Sequence, residues 1–481
     1  MTAARLATVV GLDFGTTTSA ALVGEAEIRR HAVTGRMELA SPREVFRSPL
    51  VFTPLDGDRL DLAATERLLD AWLAAGEVDP ARLVGGGALL TGLTARRDNA
   101  AGLVAAVRRR LGSALVATAD DPCLESWVAF QGACAPLSRR HAGRWFVHAD
   151  IGGGTANLAL GRDGEATATG SLFVGARHLR LEPGTRRVVA LSPQAEALAA
   201  ALGIDAAPGA EIAEADVARF VGWQADCLAR AVDGLPLGSD PVAAIHEQVP
   251  FRPRVAPGSL ADAALSLSGG VGEVAYALAG GDPRAAPPDG PAPWGDLGVE
   301  LARAILAHPR LGPRMRGVRP EAGGRATVIG LMLHAVHLSG TSLHLPDPAL
   351  LPLADLPIVG SFTPADPDDA LEALLDLVRR SGRGGAVRVT GLGGGGAAAV
   401  AACGARLARR LEAAPWPADR PLVLLLDADA GKALGACATR WGAIAVPLVV
   451  IDGLDLPDAR FAALGRPHAG AVPVAFHGLR P

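Results

Sequence analysis

The sequence predicts an α/β protein with an internally duplicated core and a further α/β region at its C-terminal end. Three observations carry this. Apolar strand-like runs alternate with helical patterning through the 481 residues. Two stretches, VVGLDFGTTTSAALVG from Val9 and FVHADIGGGTANLALG from Phe146, share one layout: an apolar run, an aspartate, a glycine turn with threonine, then a second apolar run. From about Thr341 the character changes, and a linker-like PDPALLPLADLP precedes a smaller set of strands and helices.

In chain order, residues 7–24 read as strand, turn, strand. Residues 62–75 and 97–112 carry Leu or Val at helical spacing, and RLVGGGALLTGLTA between them reads as a buried strand ending in a loop. Residues 145–163 repeat the hairpin. Residues 209–234 read as helix. ADAALSLSGGVGEVAYAL reads as strand, glycine turn, helix, and GGDPRAAPPDGPAPWGD as a surface loop. A helix follows at 297–308, and RATVIGLMLHAVHLSG reads as a strand running into a helix. AVRVTGL, PLVLLLDAD and AVPLVVIDG supply the C-terminal strands.

Composition narrows the function. A net charge of −4 argues against an electrostatic nucleic-acid binder. No uncharged apolar run reaches membrane-spanning length, and the N-terminus lacks a signal-peptide layout. Cys123, Cys134, Cys227, Cys403 and Cys437 lie far apart without zinc spacing and read as reduced thiols of a cytosolic protein. Lys432 is the only lysine, and Asn99 and Asn157 are the only asparagines, which marks them for inspection in a chain swept by compositional drift.

Each hairpin turn offers backbone N–H groups unblocked by Cβ and one carboxylate, Asp13 or Asp150, at a strand end. That inventory suits a nucleoside triphosphate with magnesium: amides and hydroxyls for phosphate oxygens, carboxylates for a hydrated cation. Taken singly, each turn is equally an ordinary β-turn. LSLSGGVGE adds a third element, where Gly269 and Gly270 let backbone approach a flat ligand at the start of a helix.

On these residues the sequence resembles the actin-like ATPase superfamily. GLDFGTTT is similar to its first phosphate loop, DIGGGTANL to its second, LSLSGGVGE to its adenosine loop, and ADDPCLESWVAFQGA and ATVIGLMLHA to its two connecting helices, all in the family order. The resemblance implies duplicated actin-like (ribonuclease H-like) lobes around a nucleotide cleft: lobe I over 1–145, lobe II over 146–340 and a C-terminal α/β region over 341–481. More narrowly, SPLVFTPL, TGLTARRDNA, DIGGGTANLAL, SLSGGVGE, AHPRL, RATVIG, HLSGTSLHL and GKALG resemble the ethanolamine ammonia-lyase reactivating factor family. That family implies a cytoplasmic chaperone and slow Mg-dependent ATPase. It works on adenosylcobalamin-dependent ethanolamine ammonia-lyase, releasing damaged cobalamin in exchange for intact cofactor. Its setting permits association with a bacterial microcompartment. Monomer and homodimer both stay open.

The resemblance also implies roles. Asp13 and Asp150 would hold Mg2+ through water. Gly15, Thr16, Thr17 and Thr18 would contact the phosphates of ATP or ADP from one side, and Gly152, Gly153, Gly154 and Thr155 from the other. Asn157 would brace the second loop. Gly269, Gly270 and Glu273 would lie near the nucleoside, with Glu273 a ribose partner. Asp121 or Glu125 would orient the attacking water. The chain departs from the family at Thr91-Gly92-Leu93, where Thr-Gly-Glu is usual, and in its swollen glycine run. That run contains Gly391-x-Gly393-x-x-Gly396, a weak dinucleotide fingerprint without its acidic partner. Lys432 lacks a Walker pattern, and His334 and His337, three apart on one predicted helix, are expected in core or surface. Three other classes stay in play: a small-molecule kinase of the same fold, an actin-like filament protein, and a dehydrogenase built on the C-terminal glycines.

Overall fold

The computed structural model describes residues 6–32, 36–56, 59–91, 98–112, 116–119, 121–255, 260–280, 290–321, 323–340 and 342–481. The first sheet is built from β1 (Leu6–Phe14), β2 (Thr18–Arg30), β3 (Met37–Arg47), β4 (Leu83–Leu90) and β5 (Val116–Ala119), in spatial order β3-β2-β1-β4-β5. The strands β1 and β2 form the expected hairpin, with Asp13 opposite Ala20 and Phe14 opposite Ser19. Parallel β4 lies against β1 because its glycine run permits it: a Cβ on Gly86, whose φ is +124°, would fall 1.8 Å from the Val10 carbonyl oxygen. Helices α1 (Leu62–Ala75) and α2 (Ala100–Leu111) cover this sheet.

Next comes α3 (Pro122–Ala129), which runs into a π-helical turn at Phe130–Cys134. The second sheet then repeats the first. Its strands are β6 (Phe146–Ile151), β7 (Ala156–Arg162), β8 (Glu165–Leu172), β9 (Glu247–Val249) and β10 (Ala264–Ser268), in order β9-β8-β7-β6-β10. In both sheets an antiparallel meander of three strands is followed by a parallel strand beside the first, so the duplication inferred from two short motifs extends to topology. Around the second sheet lie α4 (Glu214–Val232), α5 (Gly269–Gly280) and α6 (Gly298–Ala307). The buried side of α4 carries Val217, Phe220, Val221, Gln224 and Leu228 at three- and four-residue steps.

The helices α3 and α7 (Ala326–His334) cross between the sheets. Each lies on the other repeat: α3 packs on β7 and β8, and α7 on β1, β2 and β4. Glycines let the backbones touch. A Cβ on Gly330 would sit 1.9 Å from the Val128 carbonyl oxygen, and one on Gly11 would sit 2.0 Å from that of Val328. RATVIGLMLHAVHLSG therefore folds in the reverse of the expected order. The helix comes first, and β11 (Val336–Leu338) follows. His334 ends the helix and His337 sits in the strand, so the two do not share one helix; both are largely buried, and burial holds both imidazoles below their ordinary range.

The third sheet contains β11 with β12 (Leu353–Phe362), β13 (Gly385–Val389), β14 (Leu422–Leu426), β15 (Leu448–Ile451), β16 (Ala459–Leu464) and β17 (Pro473–Leu479), in order β11-β17-β16-β12-β13-β14-β15. The expected linker ends inside β12, whose Leu353 and Leu356 pair with β16. Helices α8 (Asp368–Arg380), α9 (Gly396–Ala413) and α10 (Gly431–Ala438) pack on the parallel half. The glycine fingerprint forms the β13–α9 turn, and Lys432 opens α10. Among the described residues no helix is long and apolar enough to cross a membrane. Four of the cysteines are buried, Cys437 is half-buried, and all five are free thiols.

Candidate functional site

A cavity of about 280 Å³ opens where the two repeated sheets face each other, at the turns of their first hairpins. The first turn is tight: Gly15 N–H donates to the Thr18 carbonyl at 2.9 Å. Thr53 braces it, through its N–H to the Thr17 carbonyl at 3.0 Å and its hydroxyl to the Gly15 carbonyl at 2.7 Å. The second turn closes through Gly152 N–H to the Thr155 carbonyl at 3.0 Å. The two loops meet. A Cβ on Gly153 would fall 2.2 Å from Thr17 Oγ1. That hydroxyl is buried and has no hydrogen-bond partner among the described residues. A buried, unpaired hydroxyl is costly and rare, and this one lines the cavity between the loops.

Four carboxylates line the same cavity: Asp13 at the end of β1, Asp150 near the end of β6, Glu125 on α3, and Asp296. Burial and the nearby Asp150 push Asp13 up to about 7, while a 3.0 Å hydrogen bond from Thr91 Oγ1 opposes the shift. Burial raises Asp150 too, against donors Ser268 and Thr327, the latter at 3.3 Å. Glu125 is raised well above the usual carboxylate range, first by burial and then by Asp13 and Asp150. Among the described residues no three carboxylate, histidine or cysteine groups stand close enough to ligate one ion directly. The arrangement is a buried negative field that a cation in a water shell relieves, beside amides and hydroxyls suited to anions.

Thr16, Thr18, Gly154, Gly269 and Gly270 line the cavity with these groups. Gly269 has φ +75°, and a Cβ there would lie 2.5 Å from the Ile151 carbonyl oxygen and 3.0 Å from Asp150 Oδ1. Asn157 holds the second loop, donating to Thr155 Oγ1 at 3.3 Å and accepting from Ser171 at 2.7 Å, and its amide opposes the upward shift of Glu125. Two candidates do not line the cavity. Asp121 caps α3, accepting from Leu124 N–H, and its other oxygen accepts from Gly478 N–H on β17, so it is turned to the C-terminal sheet. Glu273 accepts from Gly324 N–H at 2.7 Å and thereby ties α5 to a glycine that does line the cavity.

Several groups carried no role in the sequence reading. His178 bonds the Gly154 carbonyl at 2.8 Å and Ser192 Oγ at 2.7 Å. Its Nε2 must therefore be the donor and its Nδ1 the acceptor, and burial holds the ring near 4, hence neutral. Thr91 and Thr327 steady Asp13 and Asp150. Trp294 and buried Asp296 reach the cavity from the Pro/Gly-rich loop, whose residues 281–289 lie outside the described residues, as do Gly92 and Leu93. The Trp and Asp two positions apart in PAPWGD were the available signal.

Two duplicated sheets, crossed connecting helices and paired glycine-threonine turns at the interface define an actin-like protein. Over residues 6–479 the chain matches the family model described as ethanolamine utilisation protein EutA. It belongs to that family. It is 31% identical to the ethanolamine ammonia-lyase reactivases EutA of Salmonella typhimurium and Escherichia coli, over 98% of this chain and 97% of each relative. Among solved structures, ethanolamine utilization protein EutJ from Carboxydothermus hydrogenoformans is 16% identical at a TM-score of 0.30, over 68% of this chain and 89% of that one.

Proposed function

We propose that this chain is a nucleotide-driven chaperone that reactivates ethanolamine ammonia-lyase, exchanging damaged cobalamin for intact adenosylcobalamin at the cost of slow Mg-dependent ATP hydrolysis. The observation that carries it is the meeting of the unpaired Thr17 hydroxyl with Gly153 across a cavity into which Asp13, Asp150 and Glu125 converge. The whole-length likeness to curated reactivases supplies the partner.

In this reading lobe I (1–145) and lobe II (146–340) grip the phosphates from opposite sides. Thr16, Thr17, Thr18 and Thr155 donate hydroxyls, Gly153 and Gly154 donate amides, and Gly15 and Gly152, whose N–H groups close the two turns, bring those donors to the phosphates. Asp13 and Asp150 hold the magnesium through water. The bound cation would neutralise the carboxylate field and draw phosphate oxygens toward it. Glu125, not Asp121, orients the attacking water. Gly269 and Gly270 give the nucleoside a flat approach, and Glu273, outside the cavity, holds Gly324 at its wall rather than meeting the ribose. ATP closes the lobes and ADP relaxes them. The lyase is worked on because it binds the two states unequally. The region 341–481 meets the start of α3 directly, through Gly478 N–H on Asp121. This chemistry takes place in the cytoplasm, beside the lyase.

The test mixes the protein with cyanocobalamin-inactivated ethanolamine ammonia-lyase, free adenosylcobalamin and Mg-ATP. Recovery of deamination that requires ATP supports the reading. Absence of recovery with an active lyase control overturns it, and ADP formation that depends on a small acceptor instead assigns a kinase.

A further inference from the structure

Behind Asp150 a chain of buried side chains runs back into the second sheet. In the parallel pairing of β6 with β10, Ser266 stands beside His148 and Ser268 beside Asp150. His148 Nδ1 lies 3.2 Å from Ser266 Oγ, and its Nε2 lies 2.9 Å from Ser268 Oγ. Ser268 in turn donates to Asp150 Oδ1. His148, Ser266 and Ser268 are all 0% exposed.

Donor counting sets the direction of this chain. An ionised carboxylate only accepts, so Ser268 spends its one hydrogen on Asp150 and must itself accept from His148. The imidazole is therefore protonated on Nε2, and its Nδ1 lone pair faces the Ser266 hydroxyl. Every donor then points toward the cleft. Thr327, from α7, takes the other carboxylate oxygen at 3.3 Å. Asp150 is thus oriented from two other elements, and the histidine makes the Ser268 contact unidirectional. A bulky histidine merely filling core space needs no such ordering.

We propose that His148 is a positioning residue of the cleft: acting through Ser268, it holds the Oδ1 edge of Asp150 in one orientation and so presents a preorganised carboxylate to a divalent cation, while the nucleotide is gripped by other groups. This rests on the reading of the cleft as a Mg-nucleotide site. A preset carboxylate binds without reorganising, and that advantage appears only when the cation is present.

The experiment measures ATP binding to the full chain by calorimetry, across a Mg2+ titration and separately in EDTA. It compares wild type with His148→Gln, His148→Leu and Ser268→Ala. Glutamine keeps an N–H donor near the Nε2 position; leucine keeps volume and loses the donor. His148→Leu and Ser268→Ala are expected to raise the half-saturating Mg2+ concentration about tenfold, the scale of one charge-assisted hydrogen bond. Affinity in EDTA should stay within about twofold, and His148→Gln should track wild type. Equal losses with and without Mg2+, or identical behaviour of the Gln and Leu variants, overturn the proposal. Should His148→Leu fail to fold, Ser268→Ala carries the comparison on the same terms. Wild-type binding that ignores Mg2+ defeats the reading of the cleft; Mg2+-dependent wild type with unaffected variants defeats only the role of His148.

Discussion

Replacing Gly153 with alanine puts a methyl group where the two loops meet. The new Cβ would stand 2.2 Å from Thr17 Oγ1 and 3.1 and 3.2 Å from Arg177 Cγ and Cδ. The first contact is more than about 1 Å inside ordinary van der Waals separation, so the loops must part or the threonine must leave its rotamer. Overpacking of this kind costs about 1–3 kcal/mol. Thr17 Oγ1 makes no hydrogen bond among the described residues, so Thr17→Ala alone should cost about 1 kcal/mol or less. The double variant removes the atom that the methyl strikes. It should recover most of the loss, a coupling of about 1–2 kcal/mol. Urea unfolding without nucleotide, followed by far-UV dichroism, measures all four corners of this cycle. ATP affinity of Gly153→Ala should fall by about tenfold or more, since 1.4 kcal/mol is a factor of ten. Additive single effects, or a Gly153→Ala protein as stable as wild type, would refute the facing-loop geometry.

Further outcomes follow from the buried acids. Asp13 sits near 7 in the folded chain against 3.8 when free, so the folded state binds the extra proton. The nucleotide-free protein should therefore gain stability as pH falls from 8 through 7 toward 4, and Asp13→Asn should raise stability at pH 8 by on the order of 2–4 kcal/mol while changing little at pH 4; denaturant midpoints against pH read this directly. Glu125→Gln should lower ATP turnover by about 10²-fold or more if Glu125 orients the water, with ATP affinity retained. Asp121→Ala should leave turnover within about twofold while lowering stability by about 1 kcal/mol through the lost helix cap. Phosphate-release assays on the two variants separate the carboxylates, and the reverse ranking would return Asp121 to the cleft.

Much of the site was legible because turn chemistry is local. Asp13, Gly15 and the threonines, and Asp150 with its glycines, announce themselves within six residues of chain, and two copies of the pattern point to a duplicated fold. What the reading missed depends on neighbours far away in sequence. His178 reaches Gly154, and Thr327 reaches Asp150 across 177 positions. Trp294 and Asp296 come from a segment whose prolines and glycines signal only a loop. Asp121 and Glu125 lie one helical turn apart, and no local rule says which faces the cleft. RATVIGLMLHAVHLSG is apolar throughout, so periodicity could not order its helix and strand; packing of Gly330 on Val128 and pairing of Val336 with Ala475 did.

The sequence by itself determined the α/β class, the duplication, the two phosphate-loop candidates and the family, because each is written in short-range pattern. Only the tertiary structure decided that Asp121 belongs to the C-terminal contact, that Glu125 joins Asp13 and Asp150, and that β11 completes the third sheet. The physical reason is that burial, mutual charge repulsion and donor direction are properties of groups brought together by folding, and no single stretch of chain contains them.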